Sequence, residues 1–386
     1  MLPVLLLAAL SASPAGEAVA TVNDRTVTSA DLQARRDAPR PHGQPAPARP
    51  ALLRDAIDAA LLEADGYAAG LARDPEVAGQ VDAARRRAAA ERLVREEIAP
   101  AAAPSEAQLL ELFHAGADEV DLELVALAGE EAARAARARL ERGGSLAEEA
   151  RASLQPESQR SGGRLAPKRR AELPPALAAA AFSAPLGSWS GPVALSPGHA
   201  VFRVVARRIA DEKGFPDRRE QLRAFARKQG TEQARAHALR QLRAREKVAL
   251  DEAFLLSTAG RVEGSPAEME QAVAVVGGRA IRYRDVAAEL TRLFGGRTGV
   301  HGMGGKLKVD LAWLLVDQAL LEKEALARGH GDAPEAKAAA ALAERRAVAA
   351  LQARRLGPAL ADRLAELRRT ARIRIDEAAL ARALPE

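Results

Sequence analysis

Two stretches lying 254 positions apart constrain this chain more than any other feature: EAVATVNDRTVTSADL, beginning at Glu17, and QAVAVVGGRAIRYRDV, beginning at Gln271. Each is a short alternating apolar run, a two-residue turn of the Asn-Asp or Gly-Gly kind, a second short run and a helix start. That grammar predicts a β-hairpin feeding a helix. At this offset Val19 pairs with Val273, Val22 with Val276, Arg25 with Arg279, Val27 with Ile281 and Asp31 with Asp285. The echo continues downstream. DAALLEA from Asp58 and DQALLEK from Asp317 both set Leu-Leu-Glu three residues after an aspartate. Both lie on helices with apolar residues at i, i+3, i+4 spacing: Leu53, Ile57 and Leu61 in one, Leu307, Leu311 and Leu314 in the other. A third pair, LRAREKVALDEAFL from Leu242 and LRRTARIRIDEAAL from Leu367, aligns Val248 with Ile373 and Leu250 with Ile375. Each runs from a basic helix end into a short strand. The expectation is two related halves, each opening on a hairpin, crossing several helices and returning to a strand beside that hairpin.

The first half needs about a hundred more residues than the second to reach its closing strand. The excess, residues 119–208, has its own pattern: EVDLELVAL alternates as a strand, EEAARAARARLERGG is a helix closed by glycines, PPALAAAAFS is a Pro-started helix and HAVFRVVAR a second strand. This reads as an α+β module inserted in the first half. The fold class expected is α+β and mostly helical. Breaker-rich loops from Ala38 and Gly295 join hairpin and long helix in each half. The second is rich in glycine, but it joins two helical segments rather than a strand and a helix, so it reads as a plain loop, not a phosphate cradle.

Composition narrows the function classes. Ala and Leu dominate while aromatic residues make up 3%, which favours close-packed helices over a sheet sandwich. The net charge of +5 comes mostly from Arg. Because Arg alternates with Glu and Asp on helical faces, without aromatic interleaving, the pattern is one of solvated faces and no nucleic-acid partner is expected. The absence of cysteine excludes disulfides, thiolate catalysis and zinc–thiolate sites, and the six histidines never fall at metal-ligand spacing. No metal and no cofactor are expected. The apolar run Leu2–Leu10, followed by small residues, reads as a signal peptide over residues 1–15, and hence as export to the periplasm. No other stretch is long enough for an integral membrane segment.

These motifs resemble the SurA-like family of exported chaperones, in which a helical domain is interrupted by parvulin-type (PpiC-like) peptidyl-prolyl cis-trans isomerase domains. The hairpin followed by ADLQ, the segment DAIDAALLEADGYAAGLARDPEV and the closing ALDEAF are similar to that family's chaperone domain. GGRL at Gly162, AAFSAPLGSWSGPV from Ala180 and GHAVFRVV are similar to its parvulin domain. On this resemblance residues 16–118 with 209–256 would be a chaperone domain, 119–208 the parvulin-like domain and 266–386 a second chaperone-like repeat. The partners implied are unfolded or nascent secreted and outer-membrane polypeptides, with a homodimer exchanging strands as a further arrangement. The apolar face between the helices around Leu53–Leu61 and Leu311–Leu321 would be the working surface.

The family's isomerase pocket sets a pair of histidines and a Cys or Asp beside an apolar proline-ring site. Carried over by position, the histidines fall on Leu124 and Ala200, with His199 one residue early and therefore facing away. The Cys or Asp falls near Leu154 or Gln155. The apolar positions fall on Leu173, Leu177 and Phe182, and Trp189 in GSWSG is either a packing residue or a peptide contact. The expected substrate-binding set is thus Leu124, Leu173, Leu177, Phe182, Trp189 and Ala200, with no catalytic residue. The resemblance implies a chaperone with an inactive parvulin-like domain, or alternatively an active isomerase working through pocket shape.

Overall fold

Both hairpins form where the sequence predicts them. In the computed structural model, which describes residues 16–38, 47–99, 103–294 and 305–384, β1 (Ala18–Val22) pairs with β2 (Arg25–Thr28), and β7 (Ala272–Val276) with β8 (Arg279–Arg282). The expected signal at residues 1–15 and most of the two breaker-rich loops lie outside the described residues. The two registers are the same shifted by 254: Ala20 faces Val27 and Ala274 faces Ile281, with a bulge one residue earlier in each. Asn23 at φ 55° and Gly277–Gly278 at φ 56° and 84° supply the left-handed turn residues. Each hairpin then starts a helix, α1 (Ser29–Arg36) or α12 (Tyr283–Phe294). In both, an aspartate accepts the backbone N–H three residues earlier: Asp31 from Thr28 at 3.0 Å, Asp285 from Arg282 at 2.8 Å.

The chain divides into two compact units, Met1–Ala99 with Ala234–Glu386, and Pro100–Gln233. The first contains both hairpins, the long helices α2 (Arg49–Ala68), α3 (Pro75–Leu93), α13 (Lys306–Ala327) and α14 (Pro334–Leu356), and α15 (Leu360–Thr370).

Here the closing strands depart from expectation. β9 (Ile373–Ile375) does not return to the second hairpin, its nearer neighbour in sequence. It joins the first, in a sheet of order β2-β1-β9 with Ala20 opposite Ile375 and Val22 opposite Ile373. Reciprocally, Leu250 bridges to Ala274 of the second hairpin. The flanking hydrogen bonds also match: Asp376 N–H donates to Val19 O and Asp251 N–H to Val273 O, each at 2.8 Å. The local pairings are therefore alike in shape, and a short apolar strand cannot choose between the hairpins. The helices before them choose. Arg368 on α15 is held to Asp58 on α2 (2.7 Å), and Arg243 near the end of α9 (Phe215–Glu246) forms a bidentate pair with Asp317 on α13 (2.7 and 2.7 Å).

The helices interleave in the same crossed sense. α14 packs on α2 and α3, and α13 on α3. Gly66 lets α2 and α14 approach: a Cβ there would lie 2.6 Å from the Val348 side chain. Two buried carboxylates tie the layers together. Glu63 is held by Arg25 of the first hairpin and by Arg345 of α14 (3.0 Å to each oxygen), and Glu322 by Arg279 of the second hairpin (2.7 Å) and Arg86 of α3 (3.3 Å).

Apolar burial follows the crossing. One core joins the first hairpin and α2 to α16 (Glu377–Ala383), through Val19, Val27, Leu53, Ile57, Leu61 and Leu380. Another joins the second hairpin and α13 to the end of α9 and to α3, including Val273, Ile281, Leu311, Leu320 and Leu93. The leucines expected to line an open trough are thus inside two cores; Leu53 is 8% exposed, Leu61 2%, Leu311 4% and Leu321 3%. An amphipathic stripe buries itself against the nearest apolar partner, and here that partner is a hairpin of this chain. Among the described residues, no helix is long and apolar enough to cross a membrane.

The second unit is built on an antiparallel sheet of order β4-β3-β6-β5, made of β3 (Glu119–Leu127), β4 (Lys168–Arg169), β5 (Trp189–Ala194) and β6 (His199–Arg208). Residues 119–208 lie within it, with α4 (Glu106–Ala117) and most of α9. The helices α5 (Glu130–Glu141) and α6 (Leu146–Ala150) cover one sheet face and α8 (Pro175–Ser183) the other.

Candidate proline-binding face

Strand alternation sorts the second unit's side chains into two faces. In register, Leu124 opposes Phe202, Ala126 opposes Ala200, and Leu127 opposes His199. Leu122, Leu124 and Ala126 of β3 and Ala200, Phe202 and Val204 of β6 therefore share a face, closed by Leu173 and by Leu177, Ala178 and Ala181 of α8. Phe182 packs at its margin, partly buried. Five of the six expected substrate-binding residues are thus brought together: Leu124, Leu173, Leu177, Phe182 and Ala200. All but Phe182 are buried, with Leu124 at 1% and Ala200 at 0% exposure.

Trp189 is not brought to that set. It lies on the opposite face with Ala133, Leu140 and Val201, and the Arg203 guanidinium stacks on its ring 4.9 Å from the centroid. The cause is register: Trp189 opposes Arg203, whose side chain points away from its neighbours Phe202 and Val204. Arg203 also donates from Nε to Glu123 at 2.7 Å. His199 lies on the Trp189 side as well, as a residue opposite Leu127 must, and its buried Nδ1 has no hydrogen-bond partner among the described residues.

The outer edge of β3 is satisfied without a long neighbouring strand. Leu124 N–H donates to Gly163 O (2.7 Å), Leu165 N–H to Leu122 O (2.9 Å), Leu154 N–H to Ala126 O (2.7 Å) and Ala126 N–H to Ser153 Oγ (3.1 Å). Gly163 holds φ 90°, and a Cβ there would meet Leu146 at 2.5 Å. The loop carrying Leu154 and Gln155 therefore serves as a substitute strand. Leu154 itself is 43% exposed, and Gln155 accepts from Ser158 N–H at the start of α7 (Pro156–Ser161).

A polar network, which sequence reading missed, stands at the margin. Asp118, fully buried, accepts from Arg170 (2.9 Å) and from Ala210 N–H (3.0 Å) and is bonded to His114 Nδ1 (2.9 Å). Burial pushes the Asp118 carboxyl up, but the Ala210 N–H and the imidazole outweigh it and hold the group below the usual carboxylate value. Its hydrogen bond raises the His114 imidazole, helped by Glu212 at 3.3 Å. Arg170 in turn covers the Phe182 ring, 4.1 Å from its centroid. The only sequence signal was a histidine four residues before an aspartate at a helix end. The network's chemistry is that of a latch joining α4 to the strand ends. Among the described residues no group of His, Asp and Glu could hold a metal.

The face itself can hold an apolar ring and exclude water. Its strand residues are Leu122, Leu124 and Ala126 of β3 and Ala200, Phe202 and Val204 of β6, all apolar.

Comparison with known proteins agrees with this geometry. Residues 104–220 match the family model of the PPIC-type PPIase domain. Among solved structures, a PpiC-type peptidyl-prolyl cis-trans isomerase domain is 27% identical, covering 25% of this chain and 96% of that one at a TM-score of 0.24. PrsA from Bacillus cereus is 18% identical, with 40% of this chain and 54% of that chain covered, at a TM-score of 0.30. A chain from the work on PEB4 and Cj1289, SurA-like chaperones of Campylobacter jejuni, is also 18% identical, with 58% and 96% covered, at a TM-score of 0.24. The aligned part thus spans about half the length of the Bacillus cereus protein. No curated protein matches the chain. At these TM-scores the likeness to solved structures carries no argument, and what stands is that residues 104–220, which include the four-stranded sheet, are similar to the PPIC-type PPIase domain.

Proposed function

We propose that the chain is an exported chaperone for unfolded polypeptides whose PPIC-type domain binds chain segments without catalysing rotation about X-Pro bonds. One observation carries this reading: the apolar face that would receive a proline ring has Leu124 and Ala200 where proton-bearing groups would be needed, and His199 is across the sheet. Rotation faces a barrier of ~18–20 kcal/mol. Lowering it requires groups that favour the twisted amide over the planar one, and a uniformly apolar wall supplies little of that difference.

In this reading residues 1–15 are the signal peptide directing the chain to the periplasm. Residues 16–118 with 209–256 and residues 266–386 are two copies of one chaperone scaffold, and 119–208 is the insert. The shared hairpin register and the reciprocal closing contacts support an internal repeat. Clients would be held weakly by exposed apolar groups of the first unit, such as Leu256, Val275, Leu326 and Ile375, rather than by an open trough. Arginines engaged with carboxylates, as Arg139 with Glu149 (2.5 and 2.9 Å) and Arg219 with Glu106 (2.9 Å), favour solvated faces over a nucleic-acid groove.

The test uses the full chain in two assays. It should suppress aggregation of an unfolded outer-membrane protein while leaving a proline-limited peptide isomerisation at its uncatalysed rate. Acceleration that disappears in Phe182→Ala would overturn the inactive reading and restore the active isomerase.

A further inference from the structure

A cleft open to solvent lies in the unit that holds both hairpins. Its walls come from β2, α1, α2 and α14, so it exists only because α14 packs on the first hairpin's half. Ala56, Ala59 and Ala349 leave the space, with Val27 and Leu342 beside them. Arg345, on its wall, is committed to Glu63. Arg35 and Arg346 also line it. Arg346 is exposed and, among the described residues, has no ion pair. Burial lowers the Arg35 guanidinium and the like charge of Arg346 adds to this, against Asp31 and Asp55.

The other half provides an internal control. At the corresponding positions 259 residues on, Leu315 and Gln318 replace Ala56 and Ala59, and Gln318 donates to Glu322 at 2.9 Å. At the position 254 after Arg35 stands Glu289. The ion-paired framework is present in both halves, Glu63 with Arg345 and Glu322 with Arg86. The two alanines and the pair of arginines are present in one.

We infer that this cleft binds a carboxylate flanked by an apolar side chain on a client polypeptide, received between the Arg35 and Arg346 guanidiniums over the alanine wall. An anion between two like charges removes their repulsion and gains charge-assisted hydrogen bonds. Because Asp31 also lines the cleft, its positive excess is small and suits one negative charge better than the two of a phosphate. The inference rests on the chaperone reading, for which it names the feature of the client that is recognised. The carboxylate is that of a chain terminus or of an acidic side chain.

The experiment measures fluorescence anisotropy of a labelled apolar hexapeptide with the full chain, in three forms: free C-terminal acid, C-terminal amide, and amide with one internal aspartate. The acid, or the acid and the aspartate form, should bind about tenfold tighter than the plain amide, the amount expected of a charge-assisted contact. Preference for the acid alone assigns the chain terminus; equal preference for both assigns any carboxylate. Arg346→Glu and, separately, Ala59→Gln should each erase the preference. Equal binding of all three forms by the parent chain, or a preference that survives Arg346→Glu, overturns the inference. Aggregation suppression in the same variants separates the two readings. Suppression without carboxylate preference refutes the cleft alone, whereas carboxylate preference without suppression refutes the chaperone reading and leaves the cleft standing.

Discussion

The crossed closing strands can be tested by a covalent bond. Thr21 and Arg374 are register partners between β1 and β9, two residues from the pairs whose hydrogen bonds run from Asn23 N–H to Arg372 O and from Asp376 N–H to Val19 O. Alternation along an antiparallel ladder makes Thr21 and Arg374 a hydrogen-bonded pair, with Cα atoms about 5.5 Å apart. That lies within the ~4.4–6.8 Å a disulfide spans. The chain has no cysteine, so Thr21→Cys with Arg374→Cys introduces the only two thiols. Neither side chain is buried, which keeps the substitutions mild. Closing a loop of roughly 350 residues would stabilise by about 6 kcal/mol in the chain-entropy account, an upper value because strain subtracts from it. Spread over a unit of this size, half that gain raises Tm by about 5–10 °C. Non-reducing electrophoresis should show a faster-migrating monomer, and the Tm gain should vanish with reductant. The control is Val275→Cys with Arg374→Cys, which joins β9 to the second hairpin, where sequence reading had put it. Oxidation of the control instead of the test pair, or a covalent dimer from the test pair, would refute the crossing.

Three further outcomes are expected. Glu63→Ala strands the Arg25 and Arg345 guanidiniums, and because these are 30% and 40% exposed the loss falls below that of a fully buried pair, at about 2 kcal/mol in urea unfolding; a loss under about 0.5 kcal/mol would mean the tie holds nothing. Phe202→Ala should cost about 3–5 kcal/mol and Leu154→Ala under about 0.5, because Phe202 is fully buried and Leu154 is 43% exposed; equal losses would dismiss the assigned face. The His114–Asp118 pair should shape stability against pH on both sides. Asp118 is lowered, so its contribution is present above its unfolded pKa of about 3.9 and is lost as pH falls through the lower folded value; His114 is raised, so its contribution is full below about 6.5 and is lost as pH rises through the higher folded value. His114→Gln should therefore flatten the alkaline limb and also weaken the acid one, because the imidazole helps hold Asp118 down, and an unchanged alkaline limb in pH-dependent unfolding would exclude the latch.

Much of the insert was legible because its signals are local. Alternation marked the strands EVDLELVAL and HAVFRVVAR at the residues where β3 and β6 lie, and the same alternation placed His199 away from Leu124 and Ala200. Trp189 escaped that reasoning. Which face β5 presents depends on its register with β6, which shifts between Ser190 and Val193, and no residue of GSWSG encodes that shift alone. The Asp118 network escaped for a similar reason, since Arg170 and Ala210 reach the carboxylate from 52 and 92 residues away.

Periodicity, turn residues and caps are properties of neighbours in the chain, so the sequence by itself determined the two hairpins, the helices that leave them and the sheet of the insert. The partner of each closing strand is a different kind of quantity. Ile373–Ile375 and Leu250 offer either hairpin much the same ladder, so local affinity is degenerate and only the docking of α15 on α2 and of α9 on α13 separates the alternatives. The same long-range packing turned the leucine stripes into two cores and opened the cleft beside Arg35 and Arg346, because burial and charge proximity depend on which helices meet, and that was decided only in the tertiary structure.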